Sequence, residues 1–386
     1  MKNTRLLFSA ACAGMFLFGL GMISLGSLLP GLTAKFALTE LAAGSLASLL
    51  PFGILSGSVI FGPVVDRYGY RVLLSASTVL LALGLEGIAS AGSVVVVQAA
   101  VFVIGFGGGM LNGATNALVA DISEGVRGAS LSLLGVFFGV GALGMPVVLG
   151  LLSRTYPQEC IIAWIGGLVI LVALGYLMIR FPAPKQQQGF PLARGLSLLR
   201  DATLILFGFI LFFESGMEGM MNTWTTTFLQ QEVHATQEDA LFALSCLVAG
   251  LAVARLVLSR VLKMLSPWSA LYISVGILAA GGFMVWSAAS YAVALSGLVL
   301  VGIGFAAVFP VVLGAIGDAY ASLSGTAFSI ALVIALGGNA ILNYLVGIVA
   351  HRYGIAFFPA VVLVSLFCMT VLIVAAKARA GAQGHH

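Results

Sequence analysis

Charge is what this sequence has least of. Of its 386 residues, 17 are Lys or Arg and 13 are Asp or Glu, 8% of the chain, where an average soluble protein carries about 25%. So few charges cannot cover the surface of a water-soluble globule. A soluble enzyme, a nucleic-acid binder and a disordered chain are thereby excluded. Cysteine is scarce too. Cys12, Cys160, Cys246 and Cys368 are scattered, with no CxxC pair, so neither a disulfide framework nor a zinc site is signalled. The G-x-x-x-x-G-K-[ST] pattern of a phosphate-binding loop is missing, which removes ATP as the direct energy source. Ser and His do not cluster within the apolar runs. Gly317-Asp318 lacks the earlier glycine of an aspartyl protease motif, since residue 315 is Ala. No catalytic residue, metal or cofactor is expected.

Apolar residues are what the chain has instead. They make up 61% of it, the mean hydropathy is +1.14, and 49 glycines point to close-packed helices in a membrane. Polar or glycine/proline breaks mark twelve apolar segments, at roughly 6–30, 40–65, 71–91, 94–120, 127–152, 161–181, 202–229, 237–262, 268–289, 292–318, 323–350 and 355–377. Each is long enough for a tilted transmembrane helix, which needs about 20 residues. The alternating polarity of membrane β-strands is absent. The run from Leu6 to Leu29, behind Lys2 and Arg5, is long for a signal-peptide core and reads as a retained first helix. The expected fold is an all-α membrane protein with twelve transmembrane helices. Its longest polar interruption, PAPKQQQGFPLARGLSLLRD at 182–201, lies near the midpoint. It reads as a linker between six-helix bundles at 1–181 and 202–386.

Charge placement sets the orientation. With the N-terminus inside, the cytoplasmic set is Lys2, Arg5, Arg67, Arg71, Arg127, Arg180, Lys185, Arg194, Arg200, Arg260, Lys263, Lys377 and Arg379. Only Lys35, Arg154 and Arg352 fall outside, and Arg255 lies within the eighth segment. This asymmetry predicts that both termini and the linker are cytoplasmic; the expected location is a plasma (inner) membrane.

The halves also repeat. At a shift of 197, Gly105-x-Gly107 falls on Gly302-x-Gly304, Gly53 on Gly250 and Gly141 on Gly338. In a glycine-rich chain such matches come easily. The coincidence of Asp121 and Gly128 with Asp318 and Gly325 weighs more.

Between the second and third segments stands Gly62-Pro-Val-Val-Asp66-Arg67-Tyr-Gly69-Tyr-Arg71. Gly69 permits a tight turn. Asp66 can pair with Arg67, with Arg71 or with a neighbouring helix end, a lock that holds in one access state and breaks in another. The stretch resembles the G-x-x-x-D-R-x-G-R-R/K signature of the major facilitator superfamily, which implies two parallel six-helix repeats related by an axis along the membrane normal. Within it, residues 29–71, 107–148 and the seventh segment are similar to the fucose/galactose/glucose:proton symporter family. Gly216, Glu218, Trp224, Phe228 and Leu229 fit that family's G-x-E-x(5)-W-x(3)-Y/F-L pattern. The resemblance implies import of a neutral monosaccharide or polyol with a proton, by a monomer. A proton-coupled exporter of drugs or other small molecules, and a sugar uniporter, are the alternatives.

Ionisable residues within spans are costly and are functional candidates. Glu214 and Glu218 lie four apart, on one helix face. Two carboxylates so close in low dielectric do not easily both ionise, which suits a proton carrier. Asn222, four further on, and Trp224 offer a hydroxyl partner and an aromatic plate for a sugar. Asn112 and Asn116, and Asn339 and Asn343, are again i,i+4 pairs. They serve either as substrate contacts or as interhelical hydrogen-bond glue. Arg255 is read as a counter-charge for the acids or as a snorkelling side chain, and Glu86 as snorkelling outward. Asp121 and Asp318 end the fourth and tenth segments and Arg127 opens the fifth, as paired loop anchors. Pro146 and Pro310 are candidate kinks. Acids that members of the family can carry in the first and fourth helices are absent here. Coupling therefore falls to the seventh.

Overall fold

The computed structural model describes residues 2–38, 40–123, 127–152, 155–183, 197–262 and 264–383. Lys185, Arg194, Arg154, Lys263 and most of the linker lie outside them. Eleven helices among the described residues are long and apolar enough to cross a membrane. The longest, Glu40–Ala89, is broken at Gly69, whose φ of 83° and ψ of 172° suit glycine alone. It is therefore two crossings, and the total is twelve. They are α1 (Lys2–Phe36), α2 (40–68), α3 (70–89), α4 (Val94–Ile122), α5 (Arg127–Leu152), α6 (Gln158–Met178), α7 (Ala202–Glu232), α8 (Gln237–Val261), α9 (Pro267–Trp286), α10 (Tyr291–Ala319), α11 (Ser324–Tyr353) and α12 (Phe358–Gln383). The membrane face on which α6 ends and α7 begins is called the linker face below.

Pro310 acts as the sequence suggests. α10 is interrupted between Phe305 and Val308, where a proline four residues on leaves the Ala306 carbonyl without its helical donor. α5 runs through Pro146 without a recorded break.

Contact clustering gives two compact units. Unit 1 holds Met1–Ile122, Phe137–Gly195 and Tyr320–Ser329; unit 2 holds Ser123–Val136, Leu196–Ala319 and Ile330–His386. In unit 1, α2 and α3 pack against α4 and α6, and α1 lies on α4. In unit 2, α10 packs between α8 and α9, and α12 lies on α7 and α9. The first turns of α5 group with unit 2, and those of α11 with unit 1.

The repeat is visible in the packing. A Cβ added to Gly105 would strike the Leu50 carbonyl, and one added to Gly302 would strike that of Leu247, exactly 197 residues on. Gly53 faces the Phe102 carbonyl and Gly250 that of Val299; Gly107 faces the Leu81 amide and Gly304 that of Leu278. The matched glycines thus hold the same close helix approaches twice, as small residues do in membrane interfaces. Gly302→Val is expected to cost about 1–3 kcal/mol through overpacking, read as a fall of several degrees in the melting temperature in detergent. Gly276→Val, where an added Cβ meets nothing within 4 Å, should melt as the parent does; equal melting of both variants would refute the close-approach account.

Candidate functional site

Asp201 starts α7. Its Oδ1 accepts from the Thr203 and Leu204 amides at 2.9 and 3.0 Å, an N-cap that fixes the helix register. Glu214 and Glu218 then lie about 18 and 24 Å along the axis from Ala202, at 1.5 Å per residue, well inside the span. Glu214 is 0% exposed, and neither carboxyl oxygen has a hydrogen-bond partner. Glu218 is 27% exposed, and its Oε2 lies 3.9 Å from Nη2 of Arg255. The Arg255 side chain is 13% exposed and its Nε is buried without a partner. It lies over Gly135 of α5, where an added Cβ would come within 3.2 Å of both Cδ and Nη1. Arg255, read from the sequence as a counter-charge or as a snorkelling side chain, is within 4 Å of Glu218.

Small residues bring α11 onto α7, on a face turned away from that of the two acids. Gly219 abuts the Asn339 amide, and an added Cβ at Gly216 would lie 3.0 Å from the Gly338 carbonyl. Asn339 Nδ2 donates to the Ser215 carbonyl at 3.1 Å. Asn343 Nδ2 donates to the Asn339 carbonyl at 2.9 Å and to its Oδ1 at 3.2 Å. The Asn339 donor ties α11 to α7, the Asn343 donor stays within α11, and Asn343 Oδ1 is buried without a partner. Asn112 and Asn116 belong to unit 1 and make the same bond, Nδ2 of Asn116 donating to the Asn112 carbonyl at 2.9 Å and to its Oδ1 at 3.0 Å. Asn222 is exposed. The Trp224 ring lies against Gly347 of α11, and its Nε1 is buried without a partner. Glu86 is half-buried on α3, its carboxylate seated on Gly166 of α6.

The loop motif builds a lock at the linker face. Asp66 is 2% exposed, and its Oδ2 accepts from the Thr326 amide at 3.0 Å and the Thr326 hydroxyl at 2.7 Å. It caps the first turn of α11, where a negative charge also meets the positive end of the helix dipole. This neighbouring helix end is one of the partners the sequence offered. An added Cβ at Gly62 would lie 2.6 Å from the Gly325 carbonyl, so glycine is what lets α2 reach α11. Asp121 accepts from the Tyr70 hydroxyl and from the Ser324 hydroxyl at 2.9 Å. Arg71 donates to the Leu177 carbonyl, and the Arg67 guanidinium lies over the Tyr68 ring. In unit 2, Arg127 pairs with Asp318. Asp66→Ala leaves the buried Thr326 amide without its acceptor, a cost of about 1–3 kcal/mol. Amide hydrogen exchange over 324–329 should then quicken by about tenfold or more; unchanged protection would remove Asp66 from the lock.

Sequence reasoning overlooked Ser132 and Ser329. The Ser132 hydroxyl donates to the Arg255 carbonyl at 2.7 Å, and the Ser329 hydroxyl to the Ser58 carbonyl. Both donor and acceptor recur at a spacing of 197. The signal was available in the shift and was masked by attention to glycine and aspartate.

The fold superposes on a crystal structure of the E. coli fucose:proton symporter FucP with a TM-score of 0.81, over 98% of this chain and 99% of that one, at 20% identity. That likeness is one of fold. The glucose/mannose transporter GlcP of Bacillus subtilis (strain 168) is 25% identical over 353 residues, 87% of this chain and 86% of that protein. The 4-hydroxybenzoate transporter PcaK of Pseudomonas aeruginosa is 31% identical over 176 residues, 44% of this chain. The match spans only 38% of PcaK's own length. A family model described as Major Facilitator Superfamily matches residues 11–341, and on that match the chain belongs to the Major Facilitator Superfamily, as a multi-pass membrane transporter.

Proposed function

We propose that this transporter imports a neutral monosaccharide or polyol together with a proton, by alternating access, as a monomer in a plasma (inner) membrane with both termini cytoplasmic. The observation that carries the reading is the Glu218–Arg255 pair within the membrane, 3.9 Å apart. A neutral, hydroxyl-rich substrate is held by Asn112, Asn116, Asn222, Asn339 and Asn343 without disturbing the charge balance, and Trp224 supplies a flat apolar face. The proton resides on the α7 acids. Glu214 is fully buried, and neither of its carboxyl oxygens has a donor. Glu218, partly exposed and paired, changes its charge during the cycle. The names of FucP and GlcP agree with a sugar.

The test is proteoliposome transport. A thermal-shift screen of fucose, xylose, arabinose, glucose, mannose and polyols identifies the ligand. Adding that ligand to de-energised vesicles should then alkalinise the external medium. No alkalinisation, with drug efflux instead, would replace symport by export; uptake that ignores the proton gradient would make the protein a uniporter. A second reading is favoured by the partnerless Nε of Arg255, a buried donor suited to a carboxylate. The name of PcaK points the same way, so hydroxybenzoates belong in the screen.

A further inference from the structure

The two repeats make the same bond at the linker face with one difference. Ser132 of α5 donates to the backbone carbonyl of residue 255, and Ser329 of α11 donates to that of residue 58. In the first repeat the residue offering the carbonyl is Ser58, buried and uncharged. In the second it is Arg255, whose side chain reaches Glu218. The position of Glu218 in the first repeat is taken by Gly21. The Ser329 hydroxyl, shared with the Val59 carbonyl at 3.1 Å, meets no charged residue there, and its counterpart is fused to a charge pair.

We infer that the α5 segment from Ser132 to Gly135 is a seat for Arg255 that couples the charge of Glu218 to the docking of α5 on α8. This rests on the proposed role of Glu218 as the proton-carrying acid. Two contacts define the seat. The Ser132 hydroxyl fixes the Arg255 main chain at 2.7 Å. Gly135 leaves room for the guanidinium, since a Cβ there would press on Cδ and Nη1 at 3.2 Å. The same stretch of α5 is anchored to α10 by the Arg127–Asp318 pair, and a Cβ added to Gly314 would lie 3.0 Å from the Gly128 amide. The groups that face the guanidinium are thus Glu218 from α7 and the bare backbone of Gly135 from α5, with Glu214 one turn away on α7.

The seat ties two events that are otherwise remote. While Glu218 is ionised it draws Arg255 toward α7, and in that pose the guanidinium fits over Gly135 and α5 is docked. When a proton neutralises Glu218, the guanidinium loses its partner and moves. The seat loosens, and the first turns of α5 are freed from α8. Proton loading then favours opening at the linker face, and docking of α5 in turn favours the ionised acid, as reciprocity requires. Ser132 and Gly135 are positioning residues here and touch neither substrate nor proton.

The experiment is a double-mutant cycle read by thiol labelling. The four native cysteines are replaced, and Ala129, buried in the first turn of α5, is changed to Cys as a reporter of α5 docking. N-ethylmaleimide is the probe. Glu218→Gln is expected to speed labelling about tenfold, a coupling of ordinary size. In a Ser132→Ala or Gly135→Val background, labelling should already be fast, and Glu218→Gln should change it by less than about twofold. The Ser132→Ala protein should also exchange labelled sugar across the membrane while losing proton-driven accumulation, an effect that a packing role alone would not produce. If Glu218→Gln speeds labelling equally in all backgrounds, or has no effect on it while abolishing proton-driven uptake, the seat is refuted and the transport reading stands. If Glu218→Gln leaves proton-driven uptake intact, the transport reading itself has failed. Should Gly135→Val not fold, Ser132→Ala, which removes one oxygen, carries the cycle alone.

Discussion

In proteoliposomes under an imposed gradient of about 2 pH units, the Glu218→Gln protein is expected to bring its sugar only to equilibrium, where the unaltered protein concentrates it about 100-fold. One pH unit is worth about 1.4 kcal/mol per proton, so a one-to-one symporter sustains about a tenfold concentration ratio per unit. Glutamine has the shape of a protonated glutamate but cannot release the proton. Glu218 is the α7 acid that is both partly exposed and set against a cation, so freezing it in the neutral form should stop coupling and leave downhill exchange intact. The penalty of stranding Arg255 is moderated by solvent, since neither side chain of the pair is fully buried. Equal accumulation by the variant and the parent would move the proton site elsewhere.

Glu214→Met is expected to do two opposite things. The protein should melt higher, by about 1–3 kcal/mol of stability, because a buried carboxyl group with no partner for either oxygen is replaced by an apolar side chain of similar length. Transport should fall about tenfold or more, since Glu218 then lacks the acid one turn away and the neighbouring field at Glu218 changes. A gain in stability bought with activity is the usual signature of a functional strain site. Higher melting with full transport would leave Glu214 without a role. Lower melting would mean that the group has a partner which the geometry does not reveal.

Much of the fold was legible because a membrane punishes deviation. Each crossing must be a long apolar helix, so the breaks between apolar segments could be read directly, and they lie within a few residues of the observed ends except at α1, which extends to Phe36, and α12, which extends to Gln383. The α2–α3 junction was legible for a different reason: a conformation open mainly to glycine falls on Gly69 of a recognisable loop motif. Asp66 was legible as a charged residue of the loop motif, but its partner Thr326 lies 260 residues away, and no local periodicity encodes that. The α7 acids stood out because charges are so few. Their difference did not, since i,i+4 spacing says that two side chains share a face and nothing about how deep each one sits. Only packing distinguishes the enclosed Glu214 from the half-open Glu218. The asparagine pairs were legible as pairs, but spacing alone did not reveal that Asn339 spends a donor on the Ser215 carbonyl.

The break at Gly69 also bears on how the chain is made. With no loop residues between α2 and α3, a stretch of 42 residues from Ser48 to Ala89 leaves the ribosome as one apolar run carrying Asp66, Arg67 and Arg71 near its middle. Neither crossing has a polar stretch of its own to stop transfer on that side, so the two are best inserted as a single hairpin. By the positive-inside rule the apex cations Arg67 and Arg71 would favour leaving its tip on the side where synthesis begins. The residue that shapes the turn thereby also sets the order in which this part of the protein enters the bilayer.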